Sequence, residues 1–221
     1  MVVAENKLEA GGPAPAFSGF VARVEPIWQQ LKLKKTKLGF FEYWGERRRI
    51  KRRIAQIRKQ LKDMGVTGGN WDRADGECMC NLRVGKMGLL QDLRERVSKD
   101  LSASAREKLP HFLRHREWNA YYLPVEFPQP FSIHGDGRDL VPVGSSPELR
   151  DELGALDEIF RFGEMVSPEK LAPQLKVSES DIIKFDTTND ENPEFWICFG
   201  FSLLKKLCDE SIKHALPIVF P

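Results

Sequence analysis

The sequence predicts an α+β fold, mainly helical, with a small, mostly antiparallel sheet packed against the helices. Three observations carry this. Residues 43–64 place apolar side chains at steps of three, four and seven, which is the period of a helix with one buried face. Residues 195–208 (FWICFGFSLLKKLC) are apolar almost all round and follow Asn192-Pro193, so they form a buried helix with a capped start. The segments YYLPVEF (121–127) and DLVPV (139–143) are short, rich in branched and aromatic residues, and separated by Asp-Gly turn chemistry.

Taken in order, residues 1–16 (MVVAENKLEAGGPAPA) are small, polar and broken by Pro and Gly, and read as a flexible tail. Residues 17–221 read as a single compact domain, with a basic helical part (17–119) and an acidic α+β part (120–221). Phe20, Val24, Ile27, Trp28 and Leu31 recur at helical spacing, which predicts a first helix over 18–33, with Pro26 inside it. The second helix carries Tyr43, Ile50, Ile54, Ile57, Leu61 and Met64 on one stripe, and Gly65 stands where a left-handed cap belongs. GVTGGNWDRAD (65–75) is a loop and CNLRV (80–84) a short strand. A third helix spans 86–101 and a fourth, broken by Pro110, spans 103–118. Segments 121–127 and 139–143 form a hairpin through HGDGRD. Pro124 and Pro142 each lack an amide donor, which predicts edge or bulged strands. Ser146 as N-cap, Pro147 at the first helical position and Glu148 in the first turn open a helix whose apolar stripe is Leu149, Leu153, Leu156, Ile159 and Phe160. Short helices are expected over 168–175 and 179–185, then the buried helix, then a terminal strand, LPIVF.

The chain has 221 residues, 41% of them hydrophobic and 30% charged, which excludes wholesale disorder. No run is long and apolar enough for a membrane span, and the N-terminal residues lack the apolar core of a secretory signal. Cys78, Cys80, Cys198 and Cys208 form no disulfide framework, so a cytoplasmic location is expected.

The formal net charge of +2 conceals a division. Residues 1–119 hold 25 Lys and Arg against 14 Asp and Glu, a net +11; residues 120–221 hold 9 against 18, a net −9. Such asymmetry marks either an interaction surface or an internal seam. On the basic side, Arg47, Arg48, Arg49, Lys51, Arg52, Arg53, Arg58, Lys59 and Lys62 crowd one helix. Arg48, Arg49, Arg52, Arg53, Lys59 and Lys62 are the candidates for binding a polyanion through counterion release. No aromatic is interleaved with them for base stacking, since Phe40, Phe41, Tyr43 and Trp44 gather at the helix start. On the acidic side, Asp151, Glu152, Asp157 and Glu158 line one helix and Asp190 and Glu191 a later loop, a set suited to a basic protein partner.

Positive signs of catalysis are missing. VGKMGLL (84–90) has Cys80 where a phosphate loop needs its first Gly and Met87 where it needs Ser or Thr. Cys78, Cys80, His111 and His115 are zinc-ligand types, but the cysteines are one residue apart and a long stretch separates the pairs. They read as buried or half-buried thiols and surface histidines, so no metal or cofactor is expected. His134, Asp136 and Asp139 can support acid–base chemistry, yet are the residues a hairpin tip uses to reach its dihedrals.

YLPVEFPQPF, then GSSPELRDEL, then FW-x2-FG-x2-LL ending in S-x4-LPIVF resembles small, uncharacterised bacterial proteins, some of them immunity proteins encoded beside toxins. The likeness covers residues 121–221. It implies a non-enzymatic module of the immunity or antitoxin type that inhibits a single protein partner, such as a basic toxin, by surface complementarity. The alternative from the residues themselves is a nucleic-acid-associated protein that grips phosphates through the basic helix 40–64. The charge pattern does not fix an oligomeric state.

Overall fold

A computed structural model describes residues 20–31, 39–84, 88–135, 139–165 and 193–221. The expected tail, the two short helices over 168–175 and 179–185, Asp136, Asp190 and Glu191 lie outside these residues.

The core is a six-stranded mixed sheet. Its strands are β1 (Phe20–Val24), β2 (Cys80–Val84), β3 (Ala120–Leu123), β4 (Phe131–His134), β5 (Leu140–Ser145) and β6 (Ile218–Phe220), ordered β2-β1-β6-β3-β5-β4. Helices α1 (Phe40–Asp63), α2 (Leu89–Asp100), α3 (Ala103–Arg106), α4 (Pro110–Leu113), α5 (Ser146–Phe160), α6 (Phe162–Met165) and α7 (Pro193–His214) complete it. The α+β class therefore holds. The C-terminal strand sits centrally, between β1 and β3, so strands from the basic and acidic stretches share one sheet.

Strand pleating sends alternate residues to opposite faces and so divides the interior in two. Tyr121, Leu123, Ile133, Val141, Val143 and Val219 meet Ile50, Ile54, Ile57 and Leu61 of α1 on one face. On the other, Phe20, Ala22, Val24, Leu82, Tyr122, Ile218 and Phe220 meet α2, α5 and α7. The basic helix and the acidic helix thus lie on opposite sides of the sheet.

Four local expectations are corrected. Residues 20–24 form a strand, not the start of a helix: Phe20, Ala22 and Val24 are buried while Val21 and Arg23 are half-buried, a period of two, and Pro26 ends the run. The hairpin joins β4 to β5 and not β3 to β5. β4 was missed because FSIH is short with two polar positions, and β3 and β5 are parallel neighbours in register Tyr121↔Val143. Pro142 is on β5, an interior strand, opposite Ser132. The cap of α5 is Ser145, whose hydroxyl accepts the Glu148 amide at 3.2 Å, one residue earlier than expected.

The strongest sequence signals held. In α1 the Glu42 carboxylate accepts the Gly39 amide at 3.0 Å. At the other end, Gly65 takes φ 75°, a left-handed position that favours glycine. Burying Ile50, Ile54, Ile57 and Leu61 contributes roughly 2 kcal/mol each. Trp196 through Leu204 of α7 are buried without a break, as their all-round apolar character requires. No described helix is long and apolar enough to cross a membrane.

Candidate protein-binding face

The acids of α5 divide according to which side of the helix they occupy. Leu149, Leu153 and Leu156 fix the buried side, and Glu152 goes inward with them at 8% exposure. Its carboxylate accepts the His111 amide at 3.0 Å and the Phe112 amide at 2.7 Å. These are the second and third residues of α4, whose own N-terminus offers no side-chain cap. Burial pushes the Glu152 carboxyl up to about 7, aided by Glu148 and opposed by those two amide donors. Glu152 is thus an internal cap, held by the amides of α4 rather than presented on the outer side of α5.

Asp157 is half-buried and occupied. It accepts the Gly163 amide at 2.8 Å and meets the Lys205 ammonium at 3.2 Å, joining α5 to α6 and α7. Asp151, with its side chain 74% exposed, and Glu158 face outward. Glu148 shares their side, because positions three and ten residues apart fall within one quadrant of a helix. Sequence reasoning took Glu148 only as a first-turn residue; its i,i+3 relation to Asp151 was the available signal. The Glu148 carboxyl is pushed up by partial burial, then by the charges of Asp151 and Glu126. Glu126, which follows β3, thereby joins the acids of α5 in one field. Arg150 lies 3.6 Å from Asp151, so the acids outnumber cations here without excluding them.

Among the described residues the basic α1 and the acidic α5 pack on opposite faces of the sheet rather than against each other. Elsewhere Arg96, from residues 1–119, pairs with Glu194, from residues 120–221, at 3.1 Å. Arg48, Arg49, Arg52, Lys59 and Lys62 lie exposed on α1 across the sheet from α5. Arg53 is half-buried and donates to the Tyr121 hydroxyl at 3.1 Å, while Arg58 pairs with Asp72. Arg53 therefore helps dock α1 on the sheet as well as carrying charge.

The zinc-ligand types do not converge. Among the described residues no three His, Cys, Asp or Glu gather as a metal site. His111 and His115 are not surface groups, at 1% and 6% exposure. His115 stacks on Tyr122 with centroids 3.8 Å apart, and His111 Nδ1 accepts the Ser145 amide at 3.0 Å. Burial lowers their pKa values to about 4 for His111 and about 3 for His115, with Arg94 adding to the second. Burial also pushes the Cys78 thiol up to about 12 and Cys80 to about 11, against the thiolate a metal would need. Of the hairpin group, exposed His134 gives its amide to Gln56 Oε1 at 2.8 Å, and Gly135 donates to the Asp139 carbonyl at 2.8 Å, as a turn requires.

An outward acidic helix thus stands on one side of the sheet and a basic helix on the other. The family model described as "Putative DNA-mimic protein" matches residues 83–220. The chain belongs to that family. No curated protein and no solved structure matches it. Membership overturns both functions expected above. A family characterised by likeness to DNA is neither an immunity or antitoxin inhibitor within a toxin–antitoxin pair nor a binder of nucleic acid through residues 40–64. Those basic residues also lie outside the matched segment. The immunity expectation came from the likeness of residues 121–221, and charge alone did not separate it from the alternative, because a polyanion binder and a polyanion mimic can both carry opposite charges in successive stretches.

Proposed function

We propose that this protein is a non-catalytic binding module that presents a DNA-like acidic face to a DNA-binding protein and occupies that protein's phosphate-contacting surface. The face is the outer side of α5, with Glu148, Asp151 and Glu158, extended by Glu126. The observation that carries the reading is the placement of these carboxylates across the sheet from α1, in the segment that matches the family. Were α1 folded against them, its cations would neutralise the face.

Duplex DNA carries one charge per ~1.7 Å of its axis. Along α5, Glu148, Asp151 and Glu158 rise by roughly 4.5 Å and then 10.5 Å, at 1.5 Å per residue. One helix row is therefore sparser than a duplex, and Glu126 from outside the helix adds to it. The interaction gains from charge complementarity, which steers association and weakens with salt.

The test is capture on immobilised full-length protein from a lysate of the source cells, followed by washing with duplex DNA. The reading expects DNA-binding proteins that the duplex releases, and their loss when Glu148→Gln, Asp151→Asn and Glu158→Gln are combined. Captured proteins indifferent to duplex DNA, or unaffected by the triple variant, would overturn it.

A further inference from the structure

Beside the acidic face runs a groove of about 610 Å³ between α3, the start of α4 and the outer edge of α5. Its apolar lining comes from Leu101, Leu109, Pro110, Leu156 and Ile159. Ile159 is 60% exposed, a large branched side chain left toward water. Ala155, also exposed, precedes it by one turn and lines the same groove with a small side chain. The rim is acidic: Glu107 from α3's side, Glu148 and Asp151 from α5, with Lys108 the single cation among the described lining residues.

We infer that this groove seats a cationic segment of the bound protein, with a large aliphatic side chain lodged over Leu156 and Ile159 and Lys or Arg groups meeting Glu107, Glu148 and Asp151. The inference rests on the DNA-mimic reading and adds what a duplex cannot offer. Phosphates supply charge alone, whereas an apolar seat inside an acidic rim supplies the desolvated anchor that dominates protein interfaces. Lys and Arg suit such a site twice, because their methylene stems lie along apolar surface while their heads stay at the rim. The crowding of Glu148 with Asp151 and Glu126 points the same way, since a cation placed there relieves like-charge repulsion. A mimic built so binds a DNA-binding protein by more than the charge it copies.

The experiment uses two labelled helical peptides of about 16 residues with identical Lys and Arg positions, one carrying Leu at i and i+4 and the other Ala there. Each is titrated by fluorescence anisotropy into the full chain and into its Ile159→Ser, Ala155→Trp and Asp151→Asn variants. Both groove substitutions replace exposed residues, and unchanged melting confirms the fold. The Leu peptide should bind about tenfold or more tightly than the Ala peptide. Ile159→Ser and Ala155→Trp should each erase that preference, while Asp151→Asn weakens both peptides together. Equal binding of the two peptides, a preference that survives both groove variants, or binding of neither peptide would overturn the groove. The DNA-mimic reading fails separately, through captured proteins that duplex DNA does not release.

Discussion

Glu152 and Asp151 are adjacent in sequence and should behave as opposites. Glu152→Ala removes the acceptor of two buried amides, His111 and Phe112, at 3.0 and 2.7 Å. An orphaned buried donor costs about 1–3 kcal/mol, so the pair stands to lose roughly 2–6. Burial of the carboxylate, visible in its rise to about 7, is relieved at the same time and returns part of this. A net loss of about 2–4 kcal/mol follows. For a chain of this size, each kcal/mol lowers Tm by about 2–4 °C, so the variant should melt roughly 5–15 °C below wild type. Asp151→Asn replaces an exposed group and should shift stability by no more than about 0.5 kcal/mol while weakening partner binding. Thermal unfolding by circular dichroism, alongside partner titration, reads both. Wild-type melting of Glu152→Ala, or a stability loss in Asp151→Asn equal to it, would refute the division of α5 into an inner cap and an outer face.

Further outcomes follow from the same structure. A Cβ at Gly144 would run into the Tyr122 ring and reach within 3.3 Å of His115, both fully packed, so Gly144→Ala should destabilise by several kcal/mol in urea unfolding. His111 and His115 have lowered pKa values, so the stability they contribute is full above about pH 6.5 and is lost as pH falls through about 4 and 3. Glu152, raised from 4.5 to about 7, acts in the reverse sense: it favours the fold below 4.5 and loses that contribution as pH rises through 7. Between about pH 6.5 and 4.5 the two effects oppose, and Glu152→Gln should expose a steeper fall of Tm on acidification than wild type shows. Arg48→Ala with Arg52→Ala, both exposed on α1, should leave partner affinity within about twofold, measured by the same titration.

Residues that read correctly from the sequence are those whose local pattern and tertiary role agree. Ile50, Ile54, Ile57 and Leu61 satisfy a helical period and bury the same stripe, and the Trp196–Leu204 run is apolar all round because helices and strands surround it. Phe20–Val24 failed because Phe20, Val24, Ile27 and Leu31 fit a helix by spacing, while the sheet partners that make them a strand, β2 and β6, lie far along the chain. The parallel pairing of β3 with β5 is equally non-local. At the candidate site, residue type identified the acidic helix but not its inner side. Glu152 carries the same charge as Asp151, but it stands three residues after Leu149 and four before Leu156, on the buried stripe; that spacing was the available signal, while the α4 amides it accepts come from a distant segment. The groove was illegible for the same reason: Leu101, Leu109 and Ile159 come from three segments and meet only in the fold.

Carboxylate footprinting of the protein with and without its captured DNA-binding partner tests the central claim most directly. Labelling should fall at Glu148, Asp151 and Glu158 in the complex, with Glu42 and Asp63 on α1 labelled as before. Protection at the α1 acids with an unchanged α5 would place the partner on the opposite side of the sheet and contradict the account.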